Sequence, residues 1–496
     1  MRIRMNSQDQ LPAGHGSGRI RSLQTSAQFR ASRVLQVTLV PVALCASITA
    51  RALADEDTNA ELHQLHRVLR MGSSIDDAAV WMTKVRGFVN LNTLDDVAPL
   101  FGNTADPRPF SWTRERAGPM AHPTATGAVG DPLSFVMTPA RNALEWGREN
   151  GFRADIYEAL AWQAASDTLP GTRSTAGGAR FNARVDALLF RNTGEGQGHV
   201  TVQVRQNNQW PLGDANISNS VASPVYLDEL VSSRDTFLAR AFYNQSMLDD
   251  RLSVTVGKIN PNDYVGLNVF ASDETTQYLA QQFDGNDVLP LPYQYYTPGA
   301  AVQAIATDWL TASTFVASAD GATDSWFDAR FDSGYAVGAE ANVLFELWDL
   351  PARVSFAWCG SNVGGPGAPN GIGSTDVWGN SYVGTAQYFL TDRCGVFFQW
   401  AWAEDDIAGT STNEGGAGVT LDDVFGRIGD GAGVALGWSE PTDPTLTTQG
   451  LLEAYYRMQV TGSLQVSLDL QVILPPTTDE LSDPTVVGGI RAVIRF

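Results

Sequence analysis

Thr485-Val-Val-Gly-Gly-Ile-Arg-Ala-Val-Ile-Arg-Phe496 alternates with a period of two. Ile490, Ala492, Ile494 and Phe496 share one face, and Gly489, Arg491, Val493 and Arg495 share the other, because successive side chains of a strand point to opposite sides of its sheet. A strand that alternates up to a final aromatic is the expected closing strand of an outer-membrane β-barrel. There the last strand pairs with the first. On this reading Phe496 faces lipid at the periplasmic edge, while Arg491 and Arg495 face a channel.

The same period runs upstream. In 180–189, Phe181, Ala183, Val185, Ala187 and Leu189 oppose Arg180, Asn182, Arg184 and Asp186. In 199–207, Val200, Val202 and Val204 oppose Thr201, Gln203, Arg205 and Asn207; in 464–472, Leu464, Val466, Leu468, Leu470 and Val472 oppose Gln465, Ser467, Asp469 and Gln471. Such segments have one apolar and one polar face. A soluble sandwich shows this too, so the loops must discriminate. Strands are expected near 151–163, 178–190, 198–207, 236–245, 251–258, 299–307, 311–319, 333–347, 352–359, 381–390, 394–403, 414–421, 431–438, 449–460, 464–473 and 485–496. The weakest, 414–421, is needed for the even count of bacterial barrels. Connections then alternate. Those at 246–250, 308–310, 348–351, 391–393 and 461–463 are short, whereas 208–235, 259–298, 320–332 and 360–380 are long and rich in Gly, Asp, Asn and Pro. Short periplasmic turns facing long external loops mark a transmembrane barrel. Trp162, Tyr243, Trp348, Trp400, Trp402, Trp438, Tyr456 and Phe496 lie towards strand ends, where interfacial girdles place aromatics.

The expected fold is therefore all-β: a transmembrane antiparallel β-barrel of about 16 strands over 151–496, preceded by a partly helical or irregular N-terminal extension. Composition fits. The chain is 43% hydrophobic with a mean hydropathy of -0.13, too polar for a bundle of apolar helices of about 20 residues each. Residues 1–54 read as a secretory signal peptide. They hold seven arginines and one acid, Asp9, then an apolar run from Val34 to Ile48 and the small residues Ala52-Leu53-Ala54. An N-terminal membrane anchor is the alternative. Residues 55–150 read as a periplasmic extension or plug, with short amphipathic helices at 59–70 and 75–86 and a Pro- and Gly-rich stretch at 101–131.

Removing that leader from the 33 basic and 54 acidic residues leaves 26 and 53, a formal charge of −27. Nucleic acid is excluded as a partner by this balance, and cations are favoured near any pore. Beyond the leader the lysines are Lys84 and Lys258, so arginine carries the positive charge. Cys359 and Cys394 fall near opposite ends of the expected barrel, so no bridge between them is expected. His63 and His66 stand three apart on an expected helix, but no further ligand completes a metal site. His63, His66, His122 and His199 form no catalytic pattern. The acid pairs Asp405/Asp406 and Asp422/Asp423 point to opposite faces of a strand or sit in loops. No nucleophile elbow, phosphate loop or zinc motif occurs. Neither an enzyme nor a cofactor is expected.

Short motifs in the last third and the middle carry a resemblance. Phe425-Gly-Arg-Ile-Gly-Asp430 is followed by Leu452-Glu-Ala-Tyr-Tyr-Arg-Met-Gln-Val-Thr461, Leu468-Asp-Leu-Gln471, a proline pair at 475–476, Gly488-Gly-Ile-Arg491 and Phe496. Earlier stand Gly257-Lys-Ile-Asn-Pro-Asn-Asp-Tyr264 and Asn268-Val-Phe-Ala-Ser-Asp-Glu274. Over roughly 150–496 the chain resembles the carbohydrate-selective porins of the OprB type. The resemblance implies passive diffusion of small carbohydrates through a barrel with a selective waist. By strand count 259–298 is the third external loop, which in many porins folds into the lumen. Asn260, Asn262, Asp263, Tyr264, Asn268, Asp273 and Glu274 are its candidates for binding hydroxyls. By parity Arg180, Arg184, Arg205, Arg240, Glu453, Tyr455, Arg457 and Arg491 face the lumen, as do Arg153, Asp155, Asp186 and Asp469. Sugar hydroxyls both donate and accept, so a mixed wall of Arg, Asp, Glu and Asn suits them. Outer-membrane lipid is the expected surroundings, and association of several copies stays open. The alternatives are a general diffusion porin without sugar preference and a secreted β-rich glycan-binding protein.

Overall fold

Alternation becomes sixteen antiparallel strands: β1 (Phe152–Ala165), β2 (Thr175–Asn192), β3 (Gly196–Gln209), β4 (Thr236–Met247), β5 (Leu252–Ile259), β6 (Thr297–Thr307), β7 (Leu310–Ser318), β8 (Tyr335–Leu347), β9 (Leu350–Ser361), β10 (Gly379–Thr391), β11 (Cys394–Ala403), β12 (Ser411–Asp422), β13 (Gly431–Pro441), β14 (Gln449–Gln459), β15 (Leu464–Leu474) and β16 (Thr485–Arg495). Every expected strand is present, including the weakest one, which is β12. The computed structural model describes Gly147 and residues 151–496 except 193–195, 210–216, 229, 231–235, 249–250, 285–295, 308, 320–333, 349, 366–373, 376, 392, 428 and 475–483. The leader, the extension, His63, His66 and His122 lie outside the described residues.

Each strand pairs with its neighbours in sequence, and β16 pairs with β1, so the sheet closes. The closing register sets Tyr157 opposite Arg495 and Ala165 opposite Val487. The Phe496 N–H then donates to Ile156 O at 3.0 Å. Closure leaves no unpaired edge, the condition for a sheet to stand in lipid. Among the described residues no helix is long and apolar enough to cross a membrane. The strands, 8 to 18 residues long, bracket the 9–11 or so that a tilted spanning strand needs.

The two faces separate as the period predicts. Outward residues such as Val202, Val256, Phe356, Leu436, Leu468 and Ile490 are 41–58% exposed. A continuous apolar band of this kind is anomalous in water and ordinary in a bilayer. On the outer face of β9–β11, Phe356, Tyr382 and Trp402 stack in series, with centroids 6.0 and 6.1 Å apart. Inward residues are polar and buried, among them Thr201, Gln203, Thr255, Ser355, Glu453 and Arg491. Arg491 and Arg495 are on this face, and Phe496 is partly exposed. Cys359 pairs with Ser381, which pairs with Ala403. Cys394 begins that last strand, ten residues long, so the thiols are separated by about 30 Å at a rise of about 3.3 Å per residue.

What buries the polar inner face is chain folded back into the barrel. The segment 260–296 (loop 3) packs Phe270, Ala271, Tyr278, Ala280 and Phe283 against Phe389, Phe397, Ala435, Leu451 and Tyr455 of the wall. Part of 210–235 (loop 2) joins the same core through Ile217, Val221, Val225 and Leu227.

Candidate pore constriction

Loop 3 begins where a glycine lets the chain turn inward. Gly257 has φ 143°, and a Cβ there would strike the β4 backbone at Ala241 and Phe242. Only glycine tolerates this conformation cheaply. A single 3-10 turn, Pro261–Asp263, follows. Asn260 Oδ1 accepts from the Asn262 N–H at 3.3 Å, and Pro261 supplies a preset φ at the first position. The turn aims Asp263 at Arg240 of β4. Arg240 Nε donates to Asp263 Oδ2 at 2.8 Å and Nη2 to Oδ1 at 2.6 Å, a bidentate fork.

Further along, loop 3 is stitched to the wall. The Gly266 N–H donates to Glu340 Oε2 at 2.6 Å, and Ser313 Oγ donates to Tyr264 O. Asn268 Nδ2 donates to Gln399 Oε1, and the Val269 N–H to Gln387 Oε1, both at 3.0 Å. Asp273 holds a local turn by accepting from the Thr275 N–H and from both Thr275 and Thr276 hydroxyls. Glu453 of β14 accepts the N–H groups of Leu279 and Ala280. Arg457 Nη1 donates to Thr276 O at 3.1 Å; Arg491 donates to Glu274 O at 2.7 Å and Gln277 O at 2.8 Å.

The apolar half of loop 3 sits in a notch made by small residues. A Cβ at Gly416 would lie 2.7 Å from the Phe283 ring, one at Gly433 2.7 Å from the Tyr278 hydroxyl, and one at Gly395 inside the Phe270 ring. Tyr278 meets Tyr455 edge-on at 5.0 Å and 88°, and its hydroxyl donates to Val419 O at 3.1 Å.

The polar half faces β2–β4. Arg180 pairs with Glu274, and Arg205 Nη2 lies 3.9 Å from the same carboxylate. Tyr296 completes this side. The Arg205 and Arg240 guanidinium carbons stand 5.4 and 5.5 Å from its ring centroid, and its hydroxyl accepts from Arg205. Asn182 accepts from Gln203 at 2.6 Å and from Arg205 at 3.3 Å.

The structure therefore brings Arg180, Arg205, Arg240, Asp263 and Glu274 together on one side. Arg184 stays on the β2 wall with Asp186, 2.9 Å away. Asn260 and Asn262 frame the turn. Tyr264, Asn268 and Asp273 shape and pin the loop, and Glu453, Tyr455, Arg457 and Arg491 support it from the opposite wall. Tyr296 and loop 2 were not among the expected site features. Ile217, Val221, Val225, Leu227 and Leu230, five apolar residues in a polar loop, were the available signal for loop 2. Gln163 and Gln471 both donate to Leu227 O, at 3.0 and 2.9 Å, which fixes loop 2 between β1 and β15.

Guanidinium donors and their carboxylate partners thus lie side by side on one wall of the lumen. Residues 367–496 match the family model described as carbohydrate-selective porin, OprB family. No curated protein matches the chain. Among solved structures, the high-pH structure of Pseudomonas putida OprB matches with a TM-score of 0.60 at 14% identity, covering 73% of this chain and 97% of that one. A triple mutant of Rhodopseudomonas blastica porin matches with a TM-score of 0.45 at 13% identity, covering 70% and 100%. Over 367–496 the chain thus resembles the carbohydrate-selective porins of the OprB type, and its closed sixteen-stranded barrel shares the fold of Pseudomonas putida OprB.

Proposed function

We propose that this chain is an outer-membrane channel through which small sugars diffuse passively, selected at the waist between loop 3 and β2–β4. The observation that carries the reading is the cluster of Arg180, Arg205 and Arg240 with Asp263 and Glu274 on one side of the lumen, inside a barrel whose outer face is apolar. Donors and acceptors set side by side can exchange hydrogen bonds with hydroxyls, which both donate and accept. Each such contact must be weak enough to release a permeant solute, as conduction requires. The family match over 367–496 supports sugars as the solutes, and channel fold and family both support transport over catalysis.

Liposome swelling with the purified full chain tests the reading. Sugars are expected to enter faster than amino acids of similar size, and to reduce conductance in planar bilayers when added as blockers. Rates that follow size alone would return the chain to a general diffusion porin.

A further inference from the structure

Most luminal ion pairs among the described residues are not symmetric towards water. Arg184–Asp186 and Arg353–Glu340 are buried on both sides, at 2–5%, whereas five contacts are unequal: Asp263, Glu274, Asp422 and Asp155 have side chains 18–27% exposed, while Arg240, Arg180, Arg205, Arg457 and Arg495, their partners, are 6–13% exposed. In each of these five the guanidinium lies in the wall and the carboxylate lies nearer the passage. The turn residues beyond the barrel show the opposite order. Arg393 and Arg427 are 63% and 54% exposed against 16% and 0% for Asp423 and Asp430. The inward ordering thus belongs to these five contacts and not to arginine in general.

Its cause is structural. The luminal arginines act as struts. Arg457 and Arg491 spend N–H groups on loop 3 carbonyls, Arg495 donates to the Thr275 hydroxyl at 3.3 Å, and Arg205 and Arg240 flank the Tyr296 ring. A strut must be buried to reach the loop, and its carboxylate is left on the water side. A permeating ion therefore passes closer to negative than to positive charge, and low-dielectric walls focus that field.

We propose that the pore discriminates by charge, passing neutral and cationic solutes, amino sugars included, in preference to anionic ones such as sugar acids and sugar phosphates. This rests on the channel reading and deepens it. Asp263 and Glu274 set the preference at the waist, and Asp155 and Asp422 set it at the barrel end where β1 begins and β12 finishes.

The test is the zero-current potential of the full chain in a planar bilayer under a KCl gradient. Its sign is expected to report potassium as the more permeant ion. The effect should be larger near 0.01 M salt, where the Debye length is about 30 Å, than near 1 M, where it is about 3 Å. Asp263→Asn with Glu274→Gln should lower the potassium-to-chloride permeability ratio by roughly twofold or more. Asp155→Asn with Asp422→Asn, whose ion pairs are long at 3.9 and 3.7 Å and which lie outside loop 3, should lower it as well. In swelling assays glucosamine should outpace gluconate, with glucose between them. A chloride preference, equal rates for glucosamine and gluconate, or a ratio unchanged in both double variants overturns the proposal. If glucose still enters under any of those outcomes, the channel reading stands without it. A chain that conducts neither ions nor glucose sinks both.

Discussion

The two halves of loop 3 are held by different physics. The half from Phe270 to Phe283 lies on β11–β14 through aromatic rings seated over glycines. Asp263 and Tyr296 on either side of it, and Glu274 from within it, meet β2–β4 through charge and cation–π contacts. Packed rings over glycine have one comfortable position, so this half is an anchor. The arginine side is polar and borders water, and it is the side to which the proposed function assigns solute selection. A loop with two arginine edges would be free to swing, and one with two aromatic edges would block the lumen without discriminating.

Removing the anchor should have the largest effect. Phe283→Ala deletes a fully buried ring, a change that costs about 3–5 kcal/mol in a core. Loop 3 should detach, with noisier and larger conductance and weaker sugar block, while the barrel keeps its heat-stable mobility in detergent gels. A barrel that unfolds would show that the anchor is part of the wall's own stability.

Arg240→Ala breaks the bidentate contact with Asp263. Hydrogen bonds to charged groups are worth about 1.5–3 kcal/mol. Sugar block should weaken with little change in urea denaturation, because the aromatic half still holds. Equal loss of block in Phe283→Ala and Arg240→Ala, with the same conductance change, would erase the distinction between the halves.

Gly416→Val forces a side chain against Phe283. Overpacking of this kind costs about 1–3 kcal/mol. Conductance should shift in the same direction as in Phe283→Ala but by less. The smallest effect is expected for Arg393→Ala, at the β11 turn and remote from loop 3. Exposed ion pairs contribute about 0.2–1 kcal/mol, so denaturation and sugar block should both stay near those of the unaltered chain.

The sequence made the wall legible and the loop's posture obscure. Strand number and facing followed from a period of two and from parity, both local properties. Arg180, Arg205 and Arg240 could be placed on the inner face but not matched to Asp263 or Glu274. The segment Ser411–Asp422 read weakly because Gly415, Gly416 and Gly418 carry no β signal. Its glycines make sense only against the rings that press on them.

By itself, then, the sequence determined a closed barrel with an apolar outer face, because alternation and loop length act within a few residues. Tertiary structure alone decided how the lumen is narrowed. The contacts that do so join residues 94 apart (Arg180 and Glu274), 131 apart (Asn268 and Gln399), 174 apart (Leu279 and Glu453) and 217 apart (Glu274 and Arg491). No local pattern encodes such pairings. Closing the barrel brings those residues to one level of the lumen, and side-chain volume and charge then determine which of them meet.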